Sequence, residues 1–339
     1  MIINQEDFEL KIEITERCNA TCTFCHQDFG NMNSLKQLDV AQVNFWIDWA
    51  TRENISSIRF TGGEPTLHPH LLEMCKKTHD AGLYVTINTN GYTKFIRYEK
   101  LFPYVDMLKI SLPLVDKENL DKLTGIPNSL AKKLKTITAS IEKGFEVQLL
   151  TAMIPENIGL IEEYILFVKD IPNLSWCPLR IEASPQDEKP ISDHQIIEMA
   201  LEISRLMDEY PGSVPKLGLA TPFCAVEPIE LGAKVFAGRG EDCGPFKSLT
   251  VTAENELISC YSCRNPIRSH NSVQDVCLDK EYQYLADINI LPPECQKCDY
   301  LTRCMGGCSS PHARVAKSGG QVDYLAKFNE SIIACGILL

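Results

Sequence analysis

The chain has 339 residues, with 33 Lys and Arg against 45 Asp and Glu for a formal net charge of -12, the makeup of a folded protein long enough for two or three domains. The acidic balance, without a basic cluster, disfavours nonspecific nucleic-acid binding, because neutralised phosphates supply most of that affinity. No basic segment leads into an apolar stretch at the N-terminus and no run reaches membrane-spanning length, so a cytoplasmic protein without a membrane partner is expected.

Taken in order, the chain first offers an apolar strand over Leu10 to Thr15, followed at once by Cys18-x3-Cys22-x2-Cys25. Three thiolates this close can hold three irons of a four-iron cluster and leave the fourth iron open to a chelating substrate. The alternatives are a zinc site completed by His26, or reduced surface thiols. Asp39 reads as the N-cap of a helix whose inner face carries Val43, Ile47 and Ala50, with Trp46 and Trp49 flanking it as core residues. A second strand, Ser57 to Phe60, runs into Thr61-Gly62-Gly63-Glu64-Pro65. Paired glycines at a strand end allow a close backbone approach, and Glu64 offers an acceptor for an ammonium group.

Strands then recur at Tyr84 to Asn88, Met107 to Ser111, Glu146 to Met153 and Leu174 to Glu182, with helical patterns between them; Asn157 reads as the N-cap of one of these. Repeated βα units predict a parallel sheet, and six of them an open barrel whose site lies at the carboxyl ends of the strands. Two residues at those ends, Asn90 and Ser111, invite either a functional or a turn-and-cap reading. A polar, Pro-containing linker follows Glu182, Ser192 caps a helix reaching about Asp208, and residues 211–222 read as loop. The expected division is a barrel over 1–185, a linker helix and loop over 186–235, and a cysteine-rich domain over 236–339.

Fifteen cysteines are many for a reducing compartment, and their odd number and tight grouping fit thiolate ligation better than disulfides. Cys75 and Cys177 read as buried apolar residues. After residue 220 come Cys224, Cys243, Cys260, Cys263 and Cys277, then Cys295-x2-Cys298-x5-Cys304-x3-Cys308, and finally Cys335. Four cysteines at such spacing bind metal, as iron–sulfur clusters or as a zinc ribbon.

The first loop together with Gly62 to Pro65 closely resembles the radical S-adenosylmethionine (SAM) superfamily, and the C-terminal cysteines resemble its SPASM-domain members. The resemblance implies an α/β fold: a partial (β/α)6 TIM-type barrel with a C-terminal auxiliary-cluster domain. It implies a [4Fe-4S] cluster on Cys18, Cys22 and Cys25 that binds exchangeable SAM, with Phe24, Gly62, Gly63, Glu64, Pro65, Asn90 and Ser111 as SAM-binding positions. It further implies two auxiliary [4Fe-4S] clusters, one on Cys295, Cys298, Cys304 and Cys335. The other would use Cys243, Cys260 and Cys308, with Cys224 as first choice for its fourth ligand, Cys263 and Cys277 as rivals, and an open iron as a further option.

The chain departs from the family at Thr124, where an arginine usually pairs with the SAM carboxylate; either Lys122, Lys109 or Arg180 replaces it, or SAM is held mostly by iron chelation and backbone. Asn255 stands where the family has a glycine, and Asn tolerates the positive φ that such a turn needs. By resemblance the enzyme cleaves SAM reductively to a 5'-deoxyadenosyl radical, abstracts a substrate hydrogen, and oxidises, crosslinks or epimerises a residue of a ribosomally made peptide or protein. An external electron donor of flavodoxin or ferredoxin type is implied. The short lead before the first strand predicts no fused recognition domain, so a separate leader-peptide-binding protein or direct binding is expected. The alternatives are a small-molecule dehydrogenase or epimerase acting on a sugar or aminocyclitol, and a non-catalytic iron–sulfur carrier or zinc module.

Overall fold

The structure, a computed structural model, describes residues 8–25, 32–34, 36–113, 116–181, 191–243, 247–309, 314–317, 320–323 and 325–327. Strands and helices alternate through the first half: β1 Glu9–Thr15, α1 Val40–Arg52, β2 Ser57–Gly62, α2 Leu71–Asp80, β3 Tyr84–Thr89, α3 Ile96–Leu101 and β4 Met107–Ser111. Then come α4 Lys117–Thr124, α5 Ser129–Lys143, β5 Glu146–Met153, α6 Ile161–Val168, β6 Leu174–Arg180 and α7 Asp193–Glu209. These strands build one mixed sheet in the order β6-β5-β4-β3-β2-β1, and the sheet is extended beyond β1 by β7 Ser248–Val251 and β8 Leu257–Ile258. β1 to β5 pair in parallel, β7 joins β1 in parallel, and β8 returns antiparallel to β7. The sheet stays open; it is a parallel α/β layer of the expected kind, not a closed barrel.

The strands form where the sequence alternates. Leu10, Ile12 and Ile14 of β1 are fully buried, each contributing about 1.5–3 kcal/mol of apolar burial, while Glu9, Lys11 and Glu13 lie on the other face. α1 starts at Asp39 through a capping box with Gln42 and buries Val43, Trp46, Ile47, Trp49 and Ala50. Both indoles belong to the core, and each N–H finds an acceptor: Trp46 Nε1 donates to Asn255 Oδ1 at 2.8 Å and Trp49 Nε1 to the His270 carbonyl at 2.9 Å. Asn157 caps a 3-10 turn, Ile158–Leu160, ahead of α6, and its Oδ1 accepts from the Ile154 N–H at 2.9 Å instead of from the helix.

Two compact units divide the described chain. The first contains residues 1–152, 163–177 and 244–286; the second contains 153–162, 178–243 and 287–339. The first unit therefore takes in the segment with β7 and β8, which the sequence reading assigned to the cysteine-rich end. The physical reason is that β1 has two edges, and β7, buried at all four positions, satisfies the second. Asn255 sits in the β7–β8 turn at φ 66°, the conformation its glycine-like position calls for. Asn255→Ala is expected to cost about 2 kcal/mol, combining a left-handed backbone penalty and a lost indole hydrogen bond. Asn255→Gly should recover the backbone part; equal melting temperatures for the two variants would contradict this.

In the second unit α7 begins at Ser192, which forms a capping box with Gln195. Short helical turns at Phe223–Ala225, Ile229–Val235, Pro293–Gln296 and Leu301–Cys304 follow, and a hairpin pairs β9 Arg314–Lys317 with β10 Gly320–Asp323. Its polar centre is an ion pair between Arg180 and Asp323, 1% and 0% exposed, with Nη2 2.6 Å from Oδ2 and Nη1 3.2 Å from Oδ1. Asp323 also accepts from the N–H groups of Cys308 at 2.9 Å and Leu325 at 3.0 Å. Among the described residues no helix is long and apolar enough to cross a membrane.

Candidate active site

The loop Cys18 to Cys25 leaves the carboxyl end of β1 and is held by its own backbone. The Thr21 and Thr23 N–H groups donate to the Thr124 and Leu123 carbonyls at 3.0 and 2.9 Å, at the end of α4. That helix ends in left-handed Gly125, where a Cβ would lie 2.1 Å from Thr21 Oγ1, so only glycine permits this approach. Cys18 and Cys22 are half-buried, Cys25 is exposed, and Phe24 is half-buried between them. The three thiols sense one another: burial pushes Cys22 up to about 12, with Cys18 and Cys25 adding to the rise, and Cys18 is raised by burial and by nearby Glu64 and Cys25. His26 lies outside the described residues.

Gly62 to Pro65 lies directly against this loop. The Gly63 and Glu64 N–H groups donate to the Thr15 and Arg17 carbonyls at 2.8 and 2.7 Å. A Cβ on Gly62 or Gly63 would stand 2.3 Å from those same oxygens. The close backbone approach expected of the glycines is therefore made to the chain just before Cys18. Glu64 is fully buried and its two oxygens accept from Thr66 N and Oγ1, Thr89 Oγ1 and Asn90 N. Burial raises its pKa while these donors pull it back. Its carboxylate thus ties the Gly-Gly-Glu-Pro turn to the end of β3. Pro65 is buried behind it.

Asn90 reaches into the loop, its Nδ2 donating to Asn19 Oδ1 at 2.7 Å and lying 3.7 Å from Cys18 Sγ. A residue that sequence reasoning missed fixes the next two strand ends. Lys133 of α5 is 1% exposed, and its Nζ donates to the carbonyls of Asn90 and Ser111, each at 2.6 Å, over the Tyr92 ring at 4.3 Å. Burial pushes Lys133 down to about 8, against the pull of nearby Cys22, Glu64 and Cys18. Its signal in sequence was a lysine at helical spacing from Ser129, Thr136, Ile137 and Ser140, all on the buried face. The structure therefore brings together Cys18, Cys22, Phe24, Cys25, Gly62, Gly63, Glu64, Pro65, Asn90 and Ser111 at the carboxyl ends of β1 to β4.

Thr124 is buried, its hydroxyl donating to the Leu120 carbonyl at 2.8 Å. Of the cations considered to replace the family arginine, Lys122 is exposed and Arg180 has both Nη atoms on Asp323. Lys109 lies on the polar face of β4, two residues before Ser111, and burial followed by Arg59 pushes it down to about 8. On that face Arg59 clasps Glu9 at 2.9 and 2.7 Å. Burial tends to raise the Glu9 pKa, but Arg59, Lys11 and Lys109 hold it below the usual range. Arg264 grips fully buried Glu13 through two contacts of 2.9 Å.

In the second unit Cys224, Cys295, Cys298 and Cys304 all line one cavity of about 520 Å³. The sequence reading had set Cys224 with Cys243 and Cys308; the structure packs Cys243 against Cys308 and Ala220, and Cys224 beside the other three. Cys260 and Cys263 lie on the turn after β8 in the first unit, where the Arg264 N–H donates to the Cys260 carbonyl at 3.2 Å. Cys277 lies in a short helix, Val273–Leu278, and Cys75 is fully buried as expected. Cys335 lies outside the described residues.

Residues 12–168 match the model of the radical SAM superfamily. A "Probable GTP 3',8-cyclase" of Pyrococcus horikoshii is 28% identical over 41% of this chain and 45% of its own length. One of Sulfurisphaera tokodaii is 30% identical over 47% of this chain and 51% of its own. The chain thus spans about half the length of these curated relatives. Among solved structures, Streptococcus suis SuiB bound to S-adenosylmethionine aligns over 96% of this chain and 78% of its own, with a TM-score of 0.71 and 16% identity. Hexahistidine-tagged anSMEcpe with bound AdoMet aligns over 94% of this chain and 93% of its own, with a TM-score of 0.69 and 16% identity.

Proposed function

Taking residues 12–168 as a radical SAM region, we propose that the chain is a SPASM-type radical SAM enzyme that modifies a residue of a peptide or protein. The observation that carries this reading is the second cysteine region. The Pyrococcus and Sulfurisphaera cyclases match less than half of this chain and that of Methanococcus aeolicus 61% of it, whereas SuiB and anSMEcpe follow its fold over 96% and 94% of its length. SuiB has also been solved with its precursor peptide SuiA. The donor chemistry suits the group: three mutually close thiols, an amide from Asn90 beside Cys18, and a buried cation at Lys133 to offset thiolate charge.

Cys18, Cys22 and Cys25 would hold the first cluster, which supplies the electron that cleaves SAM to a 5'-deoxyadenosyl radical. Phe24, Gly62, Gly63, Pro65, Asn90 and Ser111 would border the SAM site. Glu64 orients the Gly-Gly-Glu-Pro turn from behind. Lys133 fixes the Asn90 and Ser111 carbonyls, and Lys109, two residues before Ser111 on β4, would meet the SAM carboxylate. Auxiliary [4Fe-4S] clusters on the later cysteines would carry away the electron released by a net oxidation. An external flavodoxin- or ferredoxin-type donor completes the scheme, with the peptide bound either directly or through a separate leader-binding protein.

A second reading, nucleotide cyclisation, is favoured by the curated names and by Lys11, Arg59 and Lys109 around Glu9, cations suited to a phosphate. The two part under one assay. The anaerobically reconstituted enzyme is given SAM, dithionite and either GTP or a peptide library presenting each amino acid at a central position. Peptide-stimulated 5'-deoxyadenosine with a loss of two hydrogens in the peptide is the expected result. Stimulation by GTP alone, with GTP consumed, would overturn the peptide reading.

A further inference from the structure

We infer that Cys224, Cys295, Cys298 and Cys304 are the complete protein ligand set of one auxiliary iron–sulfur cluster, so that Cys335 is not needed to close it. The inference rests on the auxiliary-cluster reading above and deepens it. The four cysteines come from three short turns: Phe223–Ala225, Pro293–Gln296 with Cys298 just beyond it, and Leu301–Cys304. Each opens on the same cavity of about 520 Å³. The Cys298 N–H turns back to the Cys295 carbonyl at 3.1 Å, a tight turn that presents both sulfurs on one side.

The backbone around Cys304 is arranged for a thiolate. Met305, Gly306 and Gly307 all take left-handed φ, at 48°, 71° and 78°, which curls successive amides back toward the preceding sulfur. The Phe223 N–H also donates to Cys304 Sγ, at 3.4 Å. The Phe223 amide thus reaches that sulfur while the Gly307 N–H closes the turn on the Cys304 carbonyl at 3.1 Å, and an N–H donor to sulfur lowers the energy of a ligating thiolate and tunes the metal it holds. Phe223 immediately precedes Cys224, so the same turn that donates to Cys304 carries the fourth thiol. The Lys327 N–H anchors that turn through the Cys224 carbonyl at 3.3 Å.

A zinc ion would draw its sulfurs to about 2.3 Å from a single point. Among the described residues no three ligating side chains are drawn to one point; the four cysteines share the lining of the cavity. With four thiolates, every iron is ligated by protein. Such a cluster can pass electrons and has no site for substrate.

The test uses the full chain carrying Cys224→Ser or Cys335→Ser, purified and reconstituted anaerobically, with iron, sulfide and zinc counted per chain and the reduced clusters followed by electron paramagnetic resonance. Thermal melts check that both variants fold. Cys224→Ser should lose about four irons per chain, or keep them with one cluster's signal shifted by oxygen ligation; Cys335→Ser should match the wild type in both readouts. The reverse pattern, an unchanged Cys224→Ser, or zinc in place of iron in the wild-type second unit would overturn the inference. SAM cleavage through the first loop, measured on the same samples, reports separately on the enzyme reading. Cleavage that persists while the Cys224 result fails would remove this inference alone.

Discussion

Cys22→Ala is expected to lower reductive SAM cleavage by more than about a hundredfold, beyond the loss usual when a residue hydrogen-bonded to a metal ligand is changed, and to remove about four irons per chain. Cys22 is the middle thiol of the loop and is charge-coupled to both of the others. Removing it leaves two ligands where a site-differentiated cluster needs three. The substitution should not disturb the loop itself, because Thr21 and Thr23 hold the loop through backbone bonds to Thr124 and Leu123 that do not involve the thiol. A melting temperature near that of the wild type, alongside lost 5'-deoxyadenosine release, is the expected pair of results. Cleavage at the wild-type rate in this variant would sink the assignment of the first loop.

The second large effect is on stability. Asp323→Ala is expected to destabilise the second unit by about 3–5 kcal/mol, since it strands a buried guanidinium. Arg180 is 1% exposed, and the Cys308 and Leu325 N–H groups lose their acceptor at the same time. Replacing both partners, Arg180→Met with Asp323→Leu, should restore much of the loss, because a well-packed apolar pair often equals a buried ion pair. Denaturant unfolding of the full chain reads both. A cost below about 1 kcal/mol for the single change would place this pair in the class of weak surface bridges. Because Asp323 supports the Cys308 backbone, the variant should also load iron poorly in its second unit.

Much of the first half was legible because its strands alternate and its helices carry caps. Met107 to Ser111 and Glu146 to Met153 read from sequence coincide with β4 and β5, and Asp39 and Ser192 cap their helices as expected. Trp46 and Trp49 declared themselves as core by helical spacing. β7 and β8 were missed because four- and two-residue strands offer too little pattern to detect. Glu64 read as an acceptor in waiting, yet four protein donors already occupy it; which donors reach a carboxylate depends on folding, not on the motif. The same holds for Cys224, whose spacing allowed several partners and whose turn placed it beside Cys304. Lys133 and the Arg180–Asp323 pair are long-range contacts, with residues 43 and 143 positions apart in sequence, and no local pattern announces them.

The insertion of β7 beside β1 bears on how the protein can be cut. A chain ended near residue 236 would keep every element from β1 to α7 but would lose the neighbour of Glu9 to Ile12. β1 would then become a bare sheet margin, with its amides and carbonyls open to any extended segment, including β1 of another copy. Such a fragment invites strand-to-strand aggregation even though its cysteine loop is whole. A cut that leaves the sheet whole must therefore fall after β8, because the segment carrying β7 covers the margin of the strand that leads into the first cysteine loop.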